Sequence, residues 1–281
     1  MGPSASKNKE PKEPPPPPAF EPPKMDFDSE ILTKEHLELL CKYLPMDETV
    51  RWRRVFNSGK DGKSFTRFGA QVCNRGPTIV VIRDADGHVF GGHADEGWCT
   101  YAQRYKEAQA EAAAISRASR LGQEYDKKPT YKNQHRRFFG GDRSFIFSLF
   151  PEMHVYLASG ANSNFLYYDV SEIKEMSGVG MGGQPDFYGW YIDDWLDYGH
   201  CRGAPNCLTF DSPPLSKQEN FYVDFVEVWQ TSLEMILEEE EREGEGSPQG
   251  KKGHLMESEG IKADKMILEL ATDRKFYSDN L

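Results

Sequence analysis

The segment WYIDDWLDYGH crowds three carboxylates, Asp193, Asp194 and Asp197, into a few residues. Side chains on a strand alternate between faces, so Asp193 and Asp197 would share one side, as paired carboxylates must for general acid–base work. Turns rich in Asp and Gly have the same composition for conformational reasons alone, and the turn is the preferred reading. Just downstream, His200, Cys201 and Cys207, with Cys73, Cys99 or His93 from elsewhere, are of the right types for zinc or a reactive thiol. Structural zinc favours closely spaced ligand pairs, and the sequence has no C-x-x-C or H-x-x-x-H. A buried free cysteine behaves as a small hydrophobe, and thiol or peroxide chemistry at Cys201 or Cys207 would require a depressed pKa. Gly178, Gly180, Gly182 and Gly183 look like a phosphate cradle, yet no Lys-Ser/Thr follows them. Neither a G-x-S-x-G elbow nor a Ser-His-Asp order occurs. These readings assign no catalytic residue, no metal and no cofactor.

Glu227, in VDFVEVW, is the most informative charge. It sits among Phe225, Val226, Val228 and Trp229 in a strand that must be largely buried, where an unpaired carboxylate is costly. It is read as a polar anchor for neighbouring backbone N–H groups, with a functional contact as the alternative.

The elements that hold these residues are mostly short aromatic runs broken by turns, from Phe139 to Trp229, which describes a sheet protein. Thr78–Ile82 and His88–Phe90 read as a hairpin about Asp86-Gly87. Ile31–Leu44 reads as a helix capped by Thr33, with Leu37, Leu40, Cys41 and Leu44 on one face and Pro45 ending it. Trp52–Phe68 reads as a turn-punctuated lead-in. Residues 1–28 hold five consecutive prolines, Pro14 to Pro18, and read as an unfolded polyproline arm. Residues 101–137 hold nine Lys/Arg against four Asp/Glu, and their first half is strongly helix-forming. Residues 231–281 begin as an acidic helix and pass through a Gly/Glu/Ser linker. A short stripe follows, Ala263, Met266, Ile267, Leu270 and Ala271, at i, i+3, i+4, i+7, i+8. Such a helix is expected to dock on its own domain or on a partner.

A net charge of −11 gives no general attraction to nucleic acid. No apolar run reaches membrane-spanning length, no apolar signal region follows Met1, and five irregularly spaced cysteines argue against a secreted disulfide framework. The expected location is cytoplasmic. Met1-Gly2 to Ser6 formally fits N-myristoylation at Gly2, although Pro3 suits an acyltransferase groove poorly, and one such chain gives at most weak membrane association.

Several motifs in order resemble the TLDc domain family: FGGDRSFIFSLFPEMHVY, NFLYYDV, GMGGQ before FYGWYID, CLTFDSPPLS and FYVDFVEVW. RVFNSGKDGKSFTRF and GPTIVVIRDADGHVFGGHADEGW resemble its opening strands. The arrangement is most similar to the mEAK7 and TLD-domain-containing 2 branch. The resemblance spans residues 29–230, with the basic stretch at about 101–137 as an insertion. It implies a mainly β fold with flanking helices, a two-sheet antiparallel β-sandwich, in which Glu227 and the pair Gly182-Gly183 are recurring features without a catalytic role. It also implies a non-enzymatic interaction protein that binds the V1 sector of the vacuolar proton-pumping ATPase at lysosomal or vacuolar membranes and is linked to oxidative-stress resistance. The Ala263, Met266, Ile267 and Leu270 stripe would then engage a partner. A structural component of a ciliary or axonemal assembly is the alternative function, and a thiol or peroxide enzyme the lesser one.

Overall fold

The computed structural model describes residues 20–120, 138–170, 177–184 and 187–245. The strands are β1 (Lys24–Met25), β2 (Arg51–Asn57), β3 (Thr78–Asp84), β4 (Val89–Ala94), β5 (Phe138–Phe139) and β6 (Phe145–Phe150). They continue as β7 (His154–Tyr156), β8 (Leu166–Asp169), β9 (Gly178–Met181), β10 (Trp190–Asp193), β11 (Tyr198–His200) and β12 (Asn220–Gln230). The helices are α1 (Lys34–Cys41), α2 (Ser58–Asp61), α3 (Phe65–Val72), α4 (Tyr101–Arg120) and α5 (Leu233–Glu245), with a 3-10 turn at Met46–Thr49.

The strands form two antiparallel sheets joined by one long strand. The first runs β2-β12-β3-β4-β6-β7 and the second β5-β8-β9-β10-β11-β12, with β1 added in parallel to the edge of β2. The N-terminal residues of β12 pair with β11, while its later residues pair with β3 and β2. A register shift between Val223 and Phe225 changes which face each residue meets. Before it Phe221 and Val223 point into the space between the sheets; after it Val226 and Val228 do, and Phe225 and Trp229 join the opposite face. One extra residue reverses the alternation of a strand, and this bulge lets one strand serve two sheets.

Between the sheets, Val80, Ile82, Phe90, Val226 and Val228 meet Leu166, Val179, Met181, Trp190 and Ile192. On the outer face of the first sheet, Ile79, Val81, Phe145, Phe147 and Trp229 are covered by Leu37 and Leu40 of α1. Each fully buried side chain of this size contributes about 1.5–3 kcal/mol. The two-sheet sandwich with flanking helices is the fold expected from the sequence.

Local capping sets the helices. Thr33 Oγ1 accepts from His36 N, and Thr33 N donates to His36 Nδ1, closing the first turn of α1 reciprocally. The lead-in differs from expectation: beyond the strand β2 it contains α3, capped by Ser64, with Phe65, Phe68 and Val72 buried against the inter-sheet core. Its i, i+3, i+7 spacing is helical, but eight residues give a weak pattern and most of the helix's stability comes from tertiary packing. Of α4, only Arg104 is buried among the described side chains, and those beyond it are exposed. Arg104 lies over the Phe139 ring at 4.2 Å, fastening the base of the helix to β5.

Candidate functional site

Glu227 is fully buried, on the face of β12 that carries Phe225 and Trp229. Its Oε2 accepts from Ser29 Oγ at 2.5 Å and from Trp229 Nε1 at 3.2 Å, and its Oε1 accepts from Glu30 N at 3.0 Å. Arg54 Nη1 lies 3.9 Å from Oε1 and is itself almost wholly buried. Ser29 Oγ in turn accepts from Ile31 N and Leu32 N, which turns the chain toward α1. The strap before it is held the same way: Asp26 accepts from Arg54 N, and Phe27 lies under Arg54 at 4.5 Å and Lys60 at 5.1 Å. A carboxylate near the C-terminal end of the last strand thus pins the N-terminal strap across nearly two hundred residues.

A second buried network lies beside it. Glu48 Oε2 accepts from Thr231 Oγ1 at 2.6 Å and meets His93 Nε2 at 2.8 Å, while His93 Nδ1 is 3.3 Å from the carbonyl of Arg143. The His93 ring stacks on Phe145. His93 therefore serves a carboxylate and a carbonyl. Glu48 had no local signal: it follows Pro45 in a short polar turn, and only the fold brings it to His93.

Gly182 and Gly183 both have positive φ, +76° and +83°. A Cβ on Gly183 would fall 1.8 Å from the carbonyl oxygen of Phe187. Their N–H groups are already used, Gly182 N donating to Phe165 O and Gly183 N to Thr209 Oγ1. The glycines shape a tight turn after β9, and neither N–H is turned to a phosphate.

Asp193 and Asp197 do not share a strand face. Asp193 ends β10 and its Oδ1 accepts from the backbone N–H of Trp195, Asp197 and Tyr198. Asp197 lies beyond the reversal at Leu196 (φ +54°) and pairs with Lys63. The extended spacing fails because three N–H groups converge on one carboxylate and close a turn. Burial nonetheless pushes the Asp193 carboxyl upward, against those bonds.

Burial also pushes the thiols up: Cys73 and Cys207 to about 11, and Cys201 in the same direction. At neutral pH these are poor nucleophiles. Among the described residues no cluster of His, Cys, Asp or Glu has the form of a metal site, and no helix is long and apolar enough to cross a membrane. Ala263, Met266, Ile267 and Leu270, like Gly2 and the second half of the basic stretch, lie outside the described residues.

On β11 and the first residues of β12, where the two sheets join, the surface changes character. Tyr198 and Tyr222 form an edge-to-face pair across β11 and β12, at 5.7 Å. Trp195, in the adjoining turn, is 69% exposed and Tyr222 68%. Asp194, half-buried in that turn, has no ion-pair partner among the described residues. The sequence analysis singles out this turn for its acids and not for its rings.

The architecture defines an antiparallel sandwich whose polar groups mainly close strap, turn and helix onto sheet. The family model of the TLDc domain matches residues 25–113 and 127–232, and the chain belongs to that family. The chain is similar to the MTOR-associated protein MEAK7 of Gallus gallus, at 33% identity over 66% of this chain and 33% of that protein. It is similar to its Homo sapiens counterpart at 31% identity over 78% of this chain and 42% of that one. Oxidation resistance protein 1 of Homo sapiens is 27% identical over 74% of this chain and 19% of its own length. The matches thus span less than half of each of these relatives. The expected membership and the nearness to MEAK7 both hold.

Proposed function

We propose that this domain is a regulatory docking module whose partner is the V1 sector of a vacuolar proton-pumping ATPase. The observation that carries this reading is the contrast between the two kinds of residue in the fold. Glu227, Glu48, Asp193, Gly182 and Gly183 are used internally, whereas Trp195, Tyr198 and Tyr222 stand exposed together where the two sheets join. Trp and Tyr dominate binding hot spots because they bury large areas with few rotors. One relative is named for its association with mTOR and another for oxidation resistance, which supports a regulatory setting tied to oxidative stress. The V1 assignment rests on what the family resemblance implies, and it places the protein in the cytoplasm, peripheral to lysosomal or vacuolar membranes.

The test is co-sedimentation of the purified chain with isolated V1, together with V1 ATP hydrolysis. Binding and altered hydrolysis are expected, and Trp195→Ala with Tyr222→Ala should remove both while leaving the melting temperature unchanged. No co-sedimentation together with unaltered hydrolysis would end the proposal. A second reading, a structural component of a ciliary assembly, is favoured by α4, whose described side chains beyond Arg104 are exposed. Fractionation with axonemes would select it.

A further inference from the structure

We propose that Arg51, Arg53 and Arg75 form a docking site for an acidic amphipathic helix, and that α5 is its resident and exchangeable occupant. Arg51 grips Glu240 through both terminal nitrogens, Nη1 to Oε2 at 2.9 Å and Nη2 to Oε1 at 2.5 Å. This is the bidentate geometry that makes arginine selective for carboxylates. Glu239 Oε2 receives Arg75 Nη1 at 2.6 Å and Arg53 Nη1 at 3.4 Å, and its Oε1 faces Gln230 Nε2 at 3.4 Å. Arg75 is oriented by donating from Nε to Gln71 O, and Gln230 donates to Arg75 O. One turn earlier on α5, Ile236 is fully buried. The site reads a short pattern, an apolar residue followed at i+3 and i+4 by two carboxylates.

Three guanidinium groups drawn to one surface repel each other unless an anion lies among them, so the surface is built around an acidic ligand. α5 supplies that ligand in cis, joined to β12 through only Thr231 and Ser232. Its hold depends on ion pairs whose arginines and Glu240 are a quarter or more exposed, apart from Arg53 and Glu239, on the fully buried Ile236 and on Met235 packed against Gly76. Partly exposed pairs are weak and screened by salt. A partner helix carrying the same pattern would compete on equal chemical terms. Exchange would free α5, and with it the start of the C-terminal segment, while the partner took its place.

The probe is a fluorescein-labelled peptide of the α5 sequence, LEMILEEEEREGE, titrated with the full-length chain and followed by anisotropy. In the wild type the tethered α5 blocks the site, so the peptide binds weakly. Glu239→Lys with Glu240→Lys should expel α5 and tighten peptide binding by about tenfold or more, since apparent affinity scales with the fraction of open site. Adding Arg51→Glu and Arg75→Glu to that chain should abolish binding. If the lysine variant does not melt cooperatively, Glu239→Gln with Glu240→Gln carries the same comparison, with a smaller gain expected. Equal binding to wild-type and opened chains would overturn the proposal. So would binding that survives loss of the arginines, or equal binding of a scrambled peptide of the same composition.

Discussion

Removing the Glu227 carboxylate tests whether the strap is held as described. In Glu227→Ala, Ser29 Oγ, Glu30 N and Trp229 Nε1 lose their acceptor, and the nearly buried Arg54 loses the anion 3.9 Å away. Breaking a buried ion pair by deleting one partner costs about 3–5 kcal/mol, and each buried donor left unmade about 1–3. Because the strap can lift and let water reach those donors, the terms overlap and the lower figure, about 3–5 kcal/mol in total, is the expectation. At about 2–4 °C per kcal/mol for a domain of this size, the melting temperature should fall by roughly 10 °C. Urea unfolding monitored by tryptophan fluorescence gives the free energy. Limited proteolysis supplies the local readout, with new cleavage between residues 20 and 33. Ser29→Ala, which removes one donor to Glu227 and the acceptor for Ile31 N and Leu32 N, should cost about 1–2 kcal/mol. The double variant should cost less than the sum, because the two side chains share one interaction. A loss below about 1 kcal/mol for Glu227→Ala, with the strap still protected from protease, would refute the anchoring argument.

Gly183→Ala should destabilise by more than about 3 kcal/mol, since positive φ adds to a clash with Phe187 O. Gly87→Ala, with positive φ but open space, should cost only about 1–2 kcal/mol, and thermal melts compare the two. Thr33→Ala should lower stability by about 1 kcal/mol through loss of the α1 cap, read by urea titration. Cys73 and Cys207 hold their protons more tightly when folded, at about 11 against 9.0, so the folded state binds more protons in that interval. Stability should therefore fall as pH rises from 9 through 11, and iodoacetamide should label both thiols far more slowly in the native than in the denatured chain at pH 8, by mass spectrometry. Equal labelling rates would show that they are not buried as described.

Local pattern was sufficient for much of this protein. The capped helix at Thr33, the hairpin about Gly87 and the apolar final strand containing one carboxylate were legible because caps, turns and alternation act over a few residues. The same locality explains what was misread. For Asp193 and Asp197 the composition favoured a turn over a shared strand face, but spacing did not reveal the three N–H groups that fold onto the first of them. The helix α3 was passed over because eight residues carry too little periodicity without the sheet they pack on. Glu227 announced itself as buried, yet its partners Ser29 and Glu30 lie at the other end of the chain, and Arg54 in a different strand. Glu48 gave no signal at all, since what makes it structural is His93 on β4 and Thr231 beyond β12. The family pattern and the strand alternation were enough for the sandwich. Which charges meet inside it was decided by the strand order and by the bulge at Val223, which turns Glu227 away from the inter-sheet core and toward the strap.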